Sequence, residues 1–369
     1  MKRSPYQRFV RAKLSPVYKN LETRVHPLRY LFLEITSRCN LACIHCGSDC
    51  GRNPGSGELE TKEWVDFIRS LPRSFSGRKL MVVLTGGEPL CHPQLGEILR
   101  TLRETKVRFG MVTNGWLLDE NRLATLLDFG IESMTVSLDG TRLNHDWLRG
   151  REGSFYRAVR GIELLARSDI PIFDVVTCAN PRNLAELNEV EQLLRRVGVS
   201  RWRLFSIFPK GRAKLNRDLI LNAAQLKQLL AWIATRRRVL RDDDFAIDFC
   251  CEGYLPKEVD RQVRDEPYFC RAGINIGSVL ADGTISACPN IDRSLSQGNI
   301  RDDSFAEVWE NKYQVYRDRS WLKKGTCSSC EEWAHCQGNS LHLYDADLGH
   351  AVVCHSSAHR EGRNVLESG

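Results

Sequence analysis

Between residues 30 and 207, short apolar segments with strand character alternate with amphipathic helical segments, and this alternation restricts the chain to few folds. Strands are predicted over Tyr30–Glu34, Leu80–Leu84, Arg108–Thr113, Ser133–Ser137, Ile172–Thr177 and Arg203–Ile207. Helices are predicted between them, from apolar spacings of three and four, over Thr61–Leu71, Pro93–Thr105, Asn121–Phe129, Phe155–Ala166 and Leu184–Val197. Because six such units fall short of a closed eight-unit barrel, we expect an α/β fold with a partial (β/α)6 barrel, or alternatively an open sheet.

The composition changes after about residue 245. A connecting helix is predicted near Ala223–Leu240, and beyond it the strand–helix rhythm ends while eight of the fourteen cysteines fall between Cys250 and Cys354. This change predicts a small cysteine-rich α+β domain after the barrel. The predicted parts are residues 1–29 as a basic arm, 30–215 as the partial barrel, 216–245 as the connecting helix, and 246–369 as the cysteine-rich domain with a short C-terminal tail.

The chain lacks the run of roughly eighteen apolar residues that a membrane span needs, and its N-terminus lacks the apolar core of a secretory signal. We therefore expect a cytoplasmic protein without a membrane span. Because thiols are kept reduced in that compartment, a disulfide framework is not expected for the fourteen cysteines. Metal or cluster binding is the leading explanation for them.

The basic arm carries most of the net charge of +7, because residues 1 to 30 hold eight lysines and arginines against the single acid Glu22. Pro5 and Pro16 predict that the arm is not one long helix. The arm could hold an acidic peptide or an anionic lipid surface, or lie solvated along the protein. Nucleic acid is not an expected partner, since the rest of the chain has no excess of basic charge. Four apolar residues of the arm offer a short stripe: Phe9, Val10, Leu14 and Val17.

Three cysteines follow the first predicted strand in the segment Cys39-Asn-Leu-Ala-Cys43-Ile-His-Cys46. Three thiolates on one short loop can hold three irons of a four-iron cluster and leave the fourth iron open to a substrate or cofactor. A zinc site is the alternative, but it needs four ligands, and only Cys50 or His45 is near enough to complete it. Buried cysteines without a metal are the remaining alternative.

Three further segments follow the second, third and fourth predicted strands: Gly86-Gly87-Glu88-Pro89, Thr113-Asn114-Gly115 and Ser137-Leu138-Asp139-Gly140. Together with the cysteine segment they resemble, in order and placement, the radical S-adenosylmethionine (SAM) superfamily. The resemblance implies that Cys39, Cys43 and Cys46 hold a catalytic 4Fe-4S cluster and that SAM is the cofactor. It also implies that an electron from the reduced cluster breaks the sulfonium bond of SAM and that the resulting 5′-deoxyadenosyl radical abstracts a substrate hydrogen.

The same resemblance implies roles at the carboxyl ends of the strands, where ligands of such folds bind. The glycine pair would let the backbone approach the amino group of the methionine moiety, and Glu88 would accept a hydrogen bond from it. Arg157 is the first candidate to hold the cofactor carboxylate, and Arg149 is the second. Turn glycines, a strand cap and surface arginines are the structural alternatives. The expected cofactor-binding residues are His45, Gly86, Gly87, Glu88, Pro89, Asn114, Ser137, Asp139, Arg149 and Arg157.

In the C-terminal region, Cys270, Gly283 and Cys288 lie on a predicted hairpin with Asp282-Gly283 at its turn, and four further cysteines follow: Cys327, Cys330, Cys336 and Cys354. This pattern resembles a SPASM domain, which usually holds two auxiliary four-iron clusters. The resemblance extends over about residues 30 to 356. It implies that one auxiliary cluster uses Cys327, Cys330, Cys336 and Cys354. The other would use Cys251 or its neighbour Cys250, together with Cys270 and Cys288, but Ser340 stands where the family has its fourth cysteine. An oxygen, His342, the spare cysteine or the substrate could fill that position, and zinc is the alternative metal. The remaining cysteines are expected to be small buried residues: Cys50, Cys91 and Cys178.

Members of this architecture mostly crosslink, epimerise or oxidise peptides and proteins, so the resemblance implies an oxidative peptide- or protein-modifying enzyme with an external one-electron reductant of the flavodoxin or ferredoxin type. A small-molecule oxidoreductase or epimerase is the second hypothesis, and a non-enzymatic iron–sulfur electron carrier is the third. Pro289 and Asn290 follow Cys288 where sulfatase-maturing members have an acidic base, which argues against that activity. Because the segment before Tyr30 is short, we do not expect a separate leader-binding domain there, and a peptide substrate would need recognition by the basic arm or the C-terminal domain.

Overall fold

A ten-stranded sheet organises the chain in its computed structural model, which describes residues 5–53, 55–75, 80–241, 243–250 and 253–361. The spatial order of the strands is β10-β9-β8-β1-β2-β3-β4-β5-β6-β7. Strands β1 to β8 run parallel to one another, and β8, β9 and β10 form an antiparallel meander. The strands are β1 Tyr30–Thr36, β2 Met81–Gly86, β3 Arg108–Thr113, β4 Ser133–Ser137, β5 Ile172–Ala179, β6 Arg201–Ser206, β7 Ala246–Phe249, β8 Ile276–Val279, β9 Thr284–Ser286 and β10 Gly298–Asn299.

Helices cover one face of this sheet and continue into the C-terminal region. Their bounds are α1 Pro5–Val25, α2 Thr61–Ser74, α3 Leu95–Glu104, α4 Glu120–Asp128, α5 Arg142–Arg149, α6 Ser154–Ala166, α7 Leu187–Arg196, α8 Ala223–Val239, α9 Lys257–Val263, α10 Phe305–Asn311, α11 Gln314–Arg317, α12 Trp333–Cys336 and α13 His355–Glu361. A separate hairpin pairs β11 Tyr344–Asp345 with β12 His350–Ala351. Among the described residues, no helix is long and apolar enough to cross a bilayer.

Alternation of side chains along β1 separates the helix-covered core from the inner face of the sheet. Leu31, Leu33 and Ile35 are fully buried in the apolar layer between the sheet and the helices. Glu34 lies between them in sequence and therefore points to the opposite, inner face. The sheet thus presents an inner surface whose parallel strands end at a common edge.

The predicted α/β fold with a parallel sheet is confirmed, and it extends further than expected. Tyr30 of β1 pairs with Met81 on one side and with Ile276 of β8 on the other. The hairpin predicted for the cysteine-rich domain therefore continues the barrel sheet rather than forming a separate layer. The pairing of β1 with β8 joins residues 246 positions apart in the sequence, such as Tyr30 and Ile276, and no local sequence pattern predicts it.

The expectation that prolines interrupt the arm is wrong, because α1 runs unbroken from Pro5 to Val25 with Pro16 inside it. A proline removes only one backbone hydrogen bond from a helix interior. Pro16 is exposed, so water can satisfy the carbonyl that this bond would have used.

Candidate active site

The segment from Cys39 to Cys46, hereafter the cysteine loop, leaves the carboxyl end of β1 and is anchored by backbone hydrogen bonds from several elements. Cys39 N–H donates to Gly51 O at 2.6 Å, and Ile44 N–H donates to Leu148 O of α5 at 3.0 Å. Cys46 O accepts from Arg212 N–H, beyond β6, at 2.9 Å. The loop is therefore fixed from both sides of the sheet edge.

The three thiols of the cysteine loop share one electrostatic neighbourhood. Burial, together with the nearby thiols of Cys43 and Cys46, raises the pKa of Cys39 to about 12. Burial also raises the pKa of Cys43, against the opposing charge of Arg149, whose Nη1 lies 3.8 Å from Cys43 Sγ. A hydrogen bond from the Cys50 thiol lowers the pKa of Cys46 to about 6. Thiols gathered this closely suit a metal cluster, which takes up the thiolate form.

Cys50 is buried, as expected for a small residue without a ligand role, but its contact with Cys46 places it beside the cysteine loop. Cys91 and Cys178 are half-buried. Cys178 Sγ also lies within 4.8 Å of ligand atoms of His45 and Asp139.

The glycine pair after β2 packs directly on the chain leading into the cysteine loop. A Cβ on Gly86 would lie 2.2 Å from Thr36 O, and one on Gly87 would lie 2.3 Å from Arg38 O. Gly87 N–H and Glu88 N–H donate to these same carbonyl oxygens at 2.8 and 2.9 Å. The glycines are thus required by contact with the protein's own backbone, a reason that differs from the predicted approach to the cofactor.

Glu88 connects the segments that follow β2 and β3. Its fully buried carboxylate accepts from Thr113 Oγ1 at 2.8 Å, from Asn114 N–H at 2.7 Å and from Leu90 N–H at 3.2 Å. Burial raises the pKa of Glu88 despite these donors. Pro89 begins the short 3₁₀ turn that follows.

Asn114 reaches from this carboxylate to the cysteine loop. Its Nδ2 donates to Asn40 Oδ1 at 2.9 Å and lies 3.9 Å from Cys39 Sγ. Two predicted site residues, Glu88 and Asn114, are therefore linked to the cysteine loop by a continuous set of hydrogen bonds.

Asp139, after β4, forms a buried ion pair with Arg149 of α5. Arg149 Nε and Nη2 each lie 2.6 Å from Asp139 Oδ2, and Cys178 N–H donates to Oδ1 at 2.8 Å. Burial alone would raise the pKa of Asp139, but Arg149 and the nearby imidazoles hold it below its usual range. Burial lowers the pKa of His45 to about 4, so this ring, 3.8 Å from Asp139, is neutral near pH 7.

The two arginine candidates occupy different environments. Arg149 is buried between Asp139 and Cys43, whereas Arg157 is exposed, with its guanidinium 5.8 Å from the Trp116 ring centre. The structure thus brings the second candidate, and not the first, against the cysteine loop. Ser137 is buried at the end of β4, opposite Val176.

The sequence prediction did not include Arg212, which contacts the cysteine loop directly. Its Nε donates to Cys43 O at 2.8 Å, and its Nη1 donates to Cys50 O at 2.8 Å. A basic residue just after the sixth strand, at the ligand-binding edge, was the available signal.

Glu34 was also missed, and it lies between two groups of cysteines. This buried carboxyl is 3.1 Å from Ser48 Oγ, which is in turn 2.7 Å from Asn290 Oδ1, two residues beyond Cys288. Burial raises the pKa of Glu34 to about 7. The contact chain joins the segment just after the cysteine loop to the C-terminal hairpin.

The inner thiol group comprises Cys250, Cys270 and Cys288. Burial and the neighbouring Cys270 raise the pKa of Cys288, with Cys250 also contributing. Arg203 Nη1 lies 3.8 Å from Cys250 Sγ. Cys251, the predicted ligand, lies outside the described residues.

Ser340 and His342, the two non-cysteine side chains considered as the fourth ligand of the inner thiol group, flank Leu341 in the sequence. Ser340 is buried and its Oγ has no hydrogen-bond partner among the described residues, while Leu341 N–H donates to the Cys270 thiol. His342 is stacked on Phe208 with ring centres 4.7 Å apart, and burial lowers its pKa to about 4. Ser340 and His342 are therefore both adjacent in sequence to Leu341, whose N–H contacts Cys270.

The outer thiol group comprises Cys327, Cys330, Cys336 and Cys354. The charges of Cys327, Cys330 and Cys354 contribute, after burial, to raising the pKa of Cys336 to about 12, so the four thiols lie together. Cys330 and Cys354 are exposed. Four thiols fit a fully ligated four-iron cluster or a zinc ion equally by donor type.

Known families and relatives resemble this chain over most of its length. The profile of the Radical SAM superfamily matches residues 33–194, and that of SPASM, an iron–sulfur cluster-binding domain, matches residues 270–331. The AdoMet-dependent heme synthase of Methanosarcina barkeri is 29% identical over 335 residues, covering 86% of this chain and 93% of the relative. Mycofactocin maturase MftC of Mycobacterium ulcerans is 30% identical over 316 residues, covering 84% of this chain and 81% of that protein.

Solved structures share the fold. The crystal structure of Streptococcus suis SuiB bound to its precursor peptide SuiA has a TM-score of 0.66 at 16% sequence identity. The match covers 98% of this chain and 82% of SuiB. At this identity the likeness concerns the architecture alone.

Proposed function

This chain belongs to the radical SAM superfamily and carries a C-terminal SPASM domain, and from that premise we propose that it oxidatively modifies a substrate after removing one of its hydrogen atoms. The observation that carries the proposal is the convergence of three thiols, Cys39, Cys43 and Cys46, on one anchored loop. When bound there, a 4Fe-4S cluster and SAM supply reductive cleavage of the sulfonium bond and the 5′-deoxyadenosyl radical.

The chain's own residues position and shield this chemistry. Asn114 and Glu88 hold the segments after β2 and β3 against Cys39, and Arg149 places a positive charge beside Cys43. We propose that Arg149, rather than the exposed Arg157, is the nearer candidate for the cofactor carboxylate. His45, Pro89, Ser137 and Asp139 complete the proposed cofactor site at the same strand ends.

The inner and outer thiol groups support an oxidative outcome. A substrate radical that is oxidised by losing its unpaired electron needs an electron acceptor, and auxiliary clusters at these two groups would provide one. The successive side-chain contacts of Glu34, Ser48 and Asn290 link the hairpin segment after Cys288 to the segment after the cysteine loop. We further propose an external one-electron reductant of the flavodoxin or ferredoxin type, and a cytoplasmic location.

A peptide or protein is the first proposed substrate, supported by the 30% identity to mycofactocin maturase. A tetrapyrrole-like small molecule is the second, favoured by the match to AdoMet-dependent heme synthase, which spans 93% of that relative.

The test starts from anaerobically reconstituted, dithionite-reduced protein incubated with SAM. We expect methionine and 5′-deoxyadenosine to form without any substrate. Adding candidate peptides from adjacent genes, or an iron porphyrin, should then give a product whose mass change identifies the substrate class. Absence of 5′-deoxyadenosine from protein that contains its full iron would contradict the proposal.

The inner cluster has its own test, because its fourth ligand is proposed to be a group other than cysteine. Anomalous scattering at the iron edge from crystals should place iron beside Cys270 and Cys288, with Cys250 or Cys251 as the third thiolate. Zinc, or no metal, at this position would leave the outer group as the one auxiliary cluster site.

A further inference from the structure

Helix α1 turns polar side chains toward the rest of the protein. Glu22 is buried, where its carboxylate accepts from Arg29 Nη2 and from Asn275 Nδ2, both at 2.6 Å. Lys19 Nζ lies 5.8 and 5.7 Å from the ring centres of Tyr268 and Phe269. Burial lowers the pKa of Lys19 to about 8, in keeping with this inward position.

The opposite side of α1 is apolar and faces solvent. The outward stripe consists of Leu14, Val17, Leu21 and Val25, which are 56%, 68%, 58% and 59% exposed. Their spacings of three and four residues place them within one narrow band along the helix. A surface helix ordinarily buries its apolar band and exposes its polar one, so this arrangement is inverted.

Exposed apolar residues are concentrated here. Elsewhere in the described chain, no helix or strand carries more than two large exposed apolar side chains; α5 has Leu143 and Trp147, and residues such as Leu215 and Leu348 stand alone in their segments. Scattered apolar residues are normal on a protein surface, but a continuous apolar band indicates a contact surface.

The basic residues around the outward stripe indicate what kind of partner it contacts. Residues 1 to 30 carry eight basic residues against one acid, Glu22, which is paired with Arg29. Lys19 also lies against the protein, so six basic residues and no acid remain for a partner. Arg8, Arg11 and Lys13 belong to the same helix, and Arg24 is exposed between Leu21 and Val25. The partner must therefore be both apolar and negatively charged.

A second copy of the chain fits this requirement poorly. Two outward stripes packed against each other would bring two strongly basic segments together, and like charges repel. One helix face also offers less area than the roughly 800 Å² per partner typical of stable complexes. An anionic bilayer surface meets both requirements, because its headgroups pair with lysine and arginine while its acyl boundary accepts the aliphatic side chains.

We propose that α1 docks this protein onto an anionic lipid surface, with the outward stripe inserted at the boundary between headgroups and acyl chains. The helix lies in the plane of the interface and does not cross the bilayer. The inference is independent of the reaction proposed above.

The test is flotation of the reconstituted full-length protein with vesicles of equal parts phosphatidylglycerol and phosphatidylcholine, and with vesicles of phosphatidylcholine alone. Binding should require the anionic lipid and weaken as salt is raised. The double variant Leu14→Ser, Leu21→Ser should bind about a hundredfold more weakly, at roughly tenfold for each leucine. The matched control Leu215→Ser, Leu348→Ser should bind like the wild type.

Cleavage of SAM by both double variants should equal that of the wild type, which separates this proposal from the proposed reaction and shows that the variants fold. Equal vesicle binding by the stripe variant and the wild type would overturn the proposal. It would also be overturned if the wild type ignored anionic vesicles but formed a dimer that the stripe variant lost, or bound polyglutamate through the stripe instead.

Discussion

The cysteine loop and the outer thiol group both gather thiols, but different parts of the fold hold them in place. The cysteine loop takes its three cysteines from eight consecutive residues, fixed by α5, the glycine pair after β2 and the segment after β6. The outer group draws its four cysteines from 28 residues of short turns, and two of them are exposed. We infer that the sheet shapes the first site before metal binds, whereas metal itself must order much of the second.

The largest expected effect on SAM cleavage comes from removing the thiols of the cysteine loop, compared with removing those of the outer thiol group. The variant Cys39→Ala, Cys43→Ala, Cys46→Ala should form no 5′-deoxyadenosine above background, because no thiolates remain to hold the catalytic cluster, yet it should keep auxiliary iron. The reciprocal variant Cys327→Ala, Cys330→Ala, Cys354→Ala should still cleave SAM. Chromatography of the products and iron analysis check both. Equal loss of cleavage in the two variants would end the distinction between the sites.

The buried ion pair of Asp139 and Arg149, next to the cysteine loop, should contribute strongly to the stability of the metal-free protein. Asp139→Asn leaves Arg149 buried without its partner, so the free energy of unfolding should fall by about 3–5 kcal/mol. The exposed pair of Arg160 and Glu120 is the matched control, and Glu120→Gln should leave the free energy of unfolding nearly unchanged, because solvent screens this pair. Denaturant unfolding of the metal-free proteins measures both values. A small effect of Asp139→Asn would mean that the sheet edge is not rigid without metal.

A methyl group at Gly87 should disturb the cysteine loop through Arg38, the residue that directly precedes Cys39. Its Cβ would meet Arg38 O at 2.3 Å, so Gly87→Ala should cost about 1–3 kcal/mol and reduce SAM cleavage. Gly96, at the start of α3, has no atom within 4 Å of an added Cβ, and Gly96→Ala should be neutral or slightly stabilising. Unfolding and cleavage assays of the two variants, run in parallel, compare the crowded position with the open one. Unchanged cleavage by Gly87→Ala would show that the loop does not depend on this contact.

The smallest expected effect is local and tests the outer group. Removing iron by chelation should speed tryptic cleavage at the exposed Lys323 and Lys324 by about tenfold, because the turns around Cys327 lose their cross-link. Sites within the barrel, such as the exposed Arg103, should be cleaved at the same slow rate with or without iron. Mass spectrometry of early fragments identifies the sites. Protection that persists without iron would show that the protein alone orders this region.

Local pattern predicted much of this protein. The α/β fold was predicted from the strand–helix alternation, and the superfamily, the enzyme class and the SAM and iron–sulfur cofactors from the family resemblance of the motifs; all of these are confirmed. The strand positions agree to within a few residues; β3 and β4, for example, have the predicted bounds. Periodicity and short motifs are properties of neighbouring residues, so they can be read without knowing the fold.

Contacts between distant segments could not be predicted in this way. The preference for Arg157 over Arg149 rested on sequence context, but only the packing of α5 against the cysteine loop places Arg149 beside Cys43. Glu34 and Arg212 carried no motif, and they become part of the site through strand order. Ligand roles of the individual residues remain predictions.

The sequence by itself determined the fold class and the family resemblance that implies radical SAM chemistry, because thiol spacing, short motifs and strand–helix alternation are local features. The tertiary structure alone decided which side chains surround that chemistry, that β8 continues the barrel sheet, and that α1 presents its apolar stripe to solvent. These features depend on pairing across long stretches of chain. There, burial and charge pairing such as that of Glu22 with Arg29 outweigh the local preference of any one segment.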